Sequence, residues 1–133
     1  MSEKNTRNQI YKCDTCKVVV EVLTREETAL LCFGKGMNLL NEKTDDEKAE
    51  KHVPILIEEG AGIKIVVGAT AHPMEEGHYI EWIEVINGDY LNRKYLKPGD
   101  SPEASFYVHK QSGLIVRAYC NLHGLWKGKP VNN

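Results

Sequence analysis

The sequence contains no apolar run near the roughly 18–20 residues that a membrane-crossing helix requires, so no span of that kind is expected. It also lacks an excess of basic charge. Seventeen Lys and Arg face nineteen Asp and Glu, a formal net charge of −2, whereas nucleic-acid binders carry a basic patch or stripe. No internal repeat, low-complexity tract or long amphipathic helical pattern is visible. The first residues, Met1 to Gln9, are polar and lack the apolar stretch of a secretory leader. A cytoplasmic protein, bound neither to nucleic acid nor to membrane, is the expectation. At 133 residues, 41% hydrophobic and 27% charged, the chain has a globular composition and length enough for one ordinary domain, or one domain plus a small appendage.

Against those absences stand four cysteines and five histidines. Without an export signal, metal binding or thiol redox chemistry is a better reading of the cysteines than disulfides. Cys13, Cys16 and Cys32 fall in residues 1–40, a module too small to fold well on apolar burial alone. Within it Lys17 to Leu23 and Ala29 to Phe33 read as strands. Residues 41–51 (NEKTDDEKAEK) form a dense charge run. They read either as a solvated linker or, with Thr44 and Glu47 placed as a capping box, as one or two helical turns.

Residues 52–133 alternate short β-branched runs with turns. Val53 to Ile57, Ile63 to Val67, Tyr79 to Ile86, Tyr90 to Leu96, Ala104 to His109 and Leu114 to Tyr119 read as strands, with Asn87-Gly88 as a hairpin signal. This spacing predicts an antiparallel sandwich or barrel.

Most of the histidines cluster at the ends of those strands. His52 opens the domain, His72 and His78 bracket a Pro-containing loop, and Cys120-Asn121-Leu122-His123 supplies a Cys-x-x-His pair. Only His109 falls inside an alternating run, where it reads as structural. Four imidazoles and one thiolate are a nitrogen–sulfur donor set suited to a transition metal. A structural zinc site made of Cys13-x-x-Cys16 with Cys120-x-x-His123 has suitable ligand types, but it leaves His52, His72, His78 and Cys32 unexplained. Trp82, Tyr79 and Trp126 read as core or pocket wall.

EKHVP at Glu50 to Pro54, HPMEEGHYIEWIE at His72 to Glu84, LKPGDSPEA at Leu96 to Ala104 and CNLHGLWK at Cys120 to Lys127 resemble the superoxide reductases. The chain is most similar to the desulfoferrodoxins, which carry an extra N-terminal domain, and the similarity extends over essentially everything from Tyr11. The resemblance implies a mainly β protein: an immunoglobulin-like antiparallel β-sandwich preceded by a small desulforedoxin-like domain. It implies one mononuclear non-haem iron held by His52, His72, His78, His123 and Cys120. It further implies reduction of superoxide to hydrogen peroxide, rubredoxin or a similar protein as electron donor, and a homodimer. By the same resemblance Lys51 attracts the anionic substrate and Glu50 is a carboxylate able to reach the metal. Backbone N–H groups of the 121–123 turn are expected to tune the Cys120 sulfur. The other readings are a related enzyme with dismutase activity, a non-catalytic iron electron carrier and a structural zinc protein.

The N-terminal module departs from the family pattern. Desulfoferrodoxins hold a second iron there through a Cys-x-x-Cys pair and an adjacent Cys-Cys pair. Here Cys13 and Cys16 are followed by Cys32-Phe33, with Phe33 where the fourth thiolate would stand. Lys17 occupies the place of a glycine that helps the first turn. Loss of that second iron centre is the expectation, with three thiolates left either metal-free or able to hold zinc.

Overall fold

The structure, a computed structural model, describes residues 6–25, 29–44 and 51–132. Within them all regular structure is β, and every strand pair is antiparallel. The chain divides into two compact units, Met1–Asn41 and Glu42–Asn133.

In the first unit, β1 (Ile10–Lys12) is central between β2 (Val19–Glu21) and β5 (Asn38–Leu39), and β3 (Leu31–Cys32) pairs with β4 (Lys35–Gly36). The strands are shorter than the Val-rich sequence suggests. Lys17 has φ +68° and ends the turn that begins at Cys13, so pairing with β1 starts only at Val19. Phe33 (φ +52°) and Gly34 (φ +77°) turn the chain between β3 and β4.

The second unit is a sandwich. One sheet has the order β10–β7–β6, from β6 (Pro54–Glu59), β7 (Gly62–Val67) and β10 (Glu103–Phe106). The other has the order β12–β11–β8–β9, from β8 (Ile80–Asn87), β9 (Tyr90–Tyr95), β11 (Ile115–Cys120) and β12 (Gly124–Lys127). Ile63, Ile65 and Val67 of β7 and Ala104 and Phe106 of β10 meet Ile80, Ile83 and Val85 of β8 and Val116 and Ala118 of β11 in one buried core. The period-2 alternation of a strand puts them there, except at Ile80, which a register shift between Tyr119 and Cys120 returns to the core face.

β8 departs from that simple pattern because both of its faces are buried. On the face away from the core, register sets Trp82 between Tyr95 and Tyr119, and Glu84 between Arg93 and Arg117. Trp82 and Tyr119 stack at 5.7 Å, and the Arg93 guanidinium lies 5.1 Å from the Trp82 ring. Glu84 is fully buried and gripped from both sides. Arg93 Nε donates to its Oε1 (2.8 Å) and Arg117 Nε to its Oε2 (2.7 Å). Arg117 Nη1 reaches on to Glu42 (3.2 Å).

Two strand limits differ from the sequence reading. The hairpin loop is Gly88-Asp89, closed by Asn87 opposite Tyr90, with Gly88 at φ +60° in the leading position. β10 stops at Phe106 because its partner β7 begins at Gly62, where a side chain would meet the Phe106 carbonyl oxygen at 2.5 Å. His109 therefore lies beyond the strand and is exposed, not a structural residue within it. In the charged segment, Glu42 and Lys43 are tied to the second unit, Lys43 bridging to Trp126 of β12. The capping-box reading at Glu47 lies outside the described residues.

Candidate metal centre

One end of the sandwich gathers five potential ligands. His52 stands just before β6, and His72 and His78 lie in the connection from β7 to β8. Cys120 ends β11, and His123 sits in the tight turn to β12, where Cys120 pairs with Gly124. Antiparallel pairing brings these starts and ends to the same edge. A register shift between Tyr119 and Cys120 sets Cys120 opposite Ile80, the kind of irregularity that re-aims a side chain.

The ligand atoms of His52, His72, His78, Cys120 and His123 all lie within 4.8 Å of one another. The four imidazoles close into a ring. Successive centroids are 4.8 Å (His52–His72), 4.7 Å (His72–His78), 4.9 Å (His78–His123) and 4.8 Å (His123–His52), with interplanar angles of 66° to 80°. The Cys120 sulfur is 3.7 Å from His123 Nδ1.

Which nitrogens face inward follows from the hydrogen bonds. His72 donates Nδ1–H to the Pro73 carbonyl at 2.6 Å, which leaves Nε2 as the lone-pair nitrogen. His72 Nε2 and His78 Nε2 are buried without a hydrogen-bond partner. His52 Nε2 and His123 Nδ1 face each other at 3.1 Å. Buried nitrogens aimed at one point without protein donors are costly unless something else occupies their lone pairs. A cation at the centre of the ring fits them. Redox-active iron takes such mixed nitrogen and sulfur ligation.

Surrounding groups hold the ring in place. His52 stacks on Trp126 at 4.7 Å and 15°, so Trp126 is a wall of the site. The His123 carbonyl accepts from Trp126 Nε1 (3.1 Å) and from the Lys43 ammonium (2.9 Å). Asn121 clips the His78 loop to the Cys120–His123 turn: its Oδ1 accepts from Tyr79 N (2.9 Å) and its Nδ2 donates to Gly77 O (3.1 Å). The backbone N–H of Asn121 donates to Tyr79 O at 3.2 Å. Neither Lys43 nor the Asn121 clip was legible in the sequence, because both act through contacts set by the tertiary fold. Lys51 is exposed immediately before His52. Glu50 lies outside the described residues.

Burial pushes the His72 imidazolium down to about 4, helped by the neighbouring His52, His78 and His123 and opposed by the Pro73 carbonyl. The unfolded chain takes up this proton near the ordinary value of 6.5. Between those two values the unfolded state holds more protons, so stability rises with pH. The metal-free protein is therefore expected to lose stability as pH falls from about 6.5 toward 4, read as a falling denaturant midpoint. His72→Gln is expected to flatten that slope.

A second set of donors lies in the first unit, where the sulfurs of Cys13, Cys16 and Cys32 lie within 4.8 Å of one another. The Phe33 side chain is 88% exposed and supplies no ligand. A tetrathiolate iron centre does not fit these residues.

Comparison with known proteins agrees with this geometry. The family described as Desulfoferrodoxin matches residues 44–129, and the family described as its N-terminal domain matches residues 5–40. A desulfoferrodoxin homologue of Methanothermobacter thermautotrophicus is 51% identical over 119 residues, covering 90% of this chain and 96% of the relative. The superoxide reductase of Treponema pallidum, 24% identical, superposes with a TM-score of 0.73 over 97% of this chain and 100% of that one, a likeness of fold. A superoxide reductase (1Fe-SOR) from Giardia intestinalis is 37% identical, with a TM-score of 0.54 over 63% of this chain and 99% of that one.

Proposed function

Because the chain belongs to the desulfoferrodoxin family, we propose that it is a superoxide reductase, an enzyme that reduces superoxide to hydrogen peroxide with an electron from an external donor. The observation that carries this reading is the closed ring of four imidazoles with a cysteine sulfur beside it. His52, His72 and His78 through Nε2, His123 through Nδ1 and Cys120 through Sγ would hold one iron. Bound iron supplies the single electron that, with two protons from solvent, converts superoxide to hydrogen peroxide.

The rest of the chemistry belongs to the chain. Four neutral imidazoles and one anionic thiolate leave the site a modest net charge and keep both valences of the metal accessible. The Pro73 carbonyl fixes the His72 tautomer, and Trp126 and Asn121 fix the rings that flank it. Lys51, exposed beside His52, steers the small anion inward. Local positive charge raises on-rates by about 10- to 1,000-fold. Glu50, one residue earlier in sequence, is assigned the carboxylate role that closes the site after turnover.

Residues 52–133 are the catalytic domain in this reading and residues 1–40 a separate small module, joined through 41–51. An external donor such as rubredoxin would approach near Leu122, which is 60% exposed between Cys120 and His123. A homodimer and a cytoplasmic location complete the proposal.

Metal analysis with visible spectra before and after oxidation, followed by stopped-flow mixing with superoxide, tests this reading. One iron in the second unit, a thiolate-to-iron band on oxidation, and rapid oxidation by superoxide without release of oxygen are expected. Stoichiometric oxygen release would make the protein a dismutase. Zinc alone, with no coloured state after iron loading, would make the centre structural. An iron centre that superoxide does not oxidise would leave an electron carrier. Lys51→Ala is expected to slow the second-order reaction by about tenfold or more and to weaken its salt dependence, whereas Lys51→Arg retains both. An unchanged rate would remove Lys51 from the reaction.

A further inference from the structure

The N-terminal cysteines do not fit the tetrathiolate iron of the family, yet the cup that would hold a metal is intact. Cys16 N–H points at the Cys13 sulfur at 3.4 Å, and the turn is closed by Lys17 N–H donating to Cys13 O at 2.9 Å. Lys17 takes the left-handed conformation at φ +68°, so the missing glycine has not cost the turn. Cys13 is anchored further by its own N–H, which donates to Val18 O at 3.0 Å. Cys32 arrives on β3, and its sulfur lies 3.0 Å from that of Cys16. Phe33 continues the chain at φ +52° with its ring in solvent, away from the three sulfurs. Among the described residues, no fourth side chain joins them within the same distance.

We propose that Cys13, Cys16 and Cys32 form a three-thiolate site for a thiophilic closed-shell cation, of the zinc(II) or copper(I) class, which leaves a tetrahedral ion one position open to a small exogenous ligand. Soft thiolates select such ions. A copper(I) ion is satisfied by the three sulfurs, whereas zinc completes its tetrahedron with water or another small donor. The N–H aimed at the Cys13 sulfur stabilises its anionic ligand form. The site stands in the first unit and is independent of the imidazole ring, so its test does not depend on the superoxide chemistry.

The test uses the full-length, iron-loaded protein, reduced and kept anaerobic. Zinc(II) and copper(I) are titrated separately against a chromophoric chelator, and cobalt(II) serves as a spectroscopic probe of thiolate number. One further equivalent of either ion, with a new ultraviolet thiolate-to-metal band, is expected beyond the iron. Cys16→Ser and Cys32→Ser, at accessible positions, are each expected to weaken retention by at least tenfold while the iron spectrum stays unchanged. Added imidazole should alter the cobalt spectrum of the wild-type protein but not that of Phe33→Cys, where a fourth thiolate closes the site. Retention of zinc alone, or of copper(I) alone, identifies which ion the site takes. No retained equivalent of either ion would overturn the proposal, whether thiol counting then finds a Cys16–Cys32 disulfide or three free thiols. An imidazole response that persists in Phe33→Cys would overturn the open position.

Discussion

Cys120→Ala is expected to abolish the thiolate-to-iron colour of the oxidised protein and to weaken iron binding by more than the 10- to 100-fold typical of losing only a partner of a ligand. Cys120 is the one anionic donor in the proposed set. It is fully buried, at the end of β11, with its sulfur against His123 Nδ1. Its removal leaves four neutral imidazoles, which hold a divalent ion less tightly and a trivalent ion much less. The residue is also part of the hydrophobic core, beside Ile80 and Ala118. Cys120→Ser would therefore bury a hydroxyl and add a folding penalty of about 1–3 kcal/mol, which Cys120→Ala avoids. Comparing the two separates the ligand from the core residue. If Cys120→Ala keeps the wild-type spectrum and iron content, the thiolate is not a ligand and the proposed donor set is wrong.

Glu84→Gln is expected to be the most destabilising single change on the opposite face of the same sheet. Glu84 is fully exclosed from solvent, and each carboxylate oxygen is held by one guanidinium, Arg93 on β9 and Arg117 on β11. Removing one partner of a buried ion pair costs about 3–5 kcal/mol, because the other charge stays buried without compensation. Here two guanidinium groups would lose their shared anion, while Arg117 keeps the carboxylate of Glu42. A fall of this size in unfolding free energy, measured by denaturant titration, is the expected result. The triple change Glu84→Met, Arg93→Met and Arg117→Met is expected to recover much of it, since apolar side chains of similar length remove the charges together. A loss below about 1 kcal/mol for Glu84→Gln would place the triad among weak surface pairs.

The register that creates this triad also stiffens the metal end. Arg117 lies three residues before Cys120 on β11, and Glu42 and Lys43, next to each other in sequence, bind Arg117 and the His123 carbonyl. The segment entering the second unit thus braces both the sheet and the turn that carries Cys120 and His123.

The sequence by itself determined the strands of the second unit from β6 to β11, though not β12, because period-2 alternation is local and Ile63, Ile65 and Val67 announce their inward face without reference to any partner. It also supplied the chemistry of the centre, since histidines and a cysteine at strand ends are few enough to be read as a donor set. The missing fourth cysteine at Phe33 was equally plain. Tertiary structure alone decided the rest. The ring joins His52 to His123, 71 positions apart, and the inward nitrogen of each imidazole depends on which carbonyl or ring it meets. Lys43 and Asn121 became supports only when folding set them against His123, Gly77 and Tyr79. Glu84 reads in sequence as an ordinary strand carboxylate, and cross-strand register placed it between two arginines. Lys17 at φ +68° shows the same limit in the small unit. The residue type disfavours that conformation, but the closing hydrogen bond to Cys13 O and the pairing of β1 with β2 impose it, and so the thiolate cup outlasts the glycine that the sequence lacks.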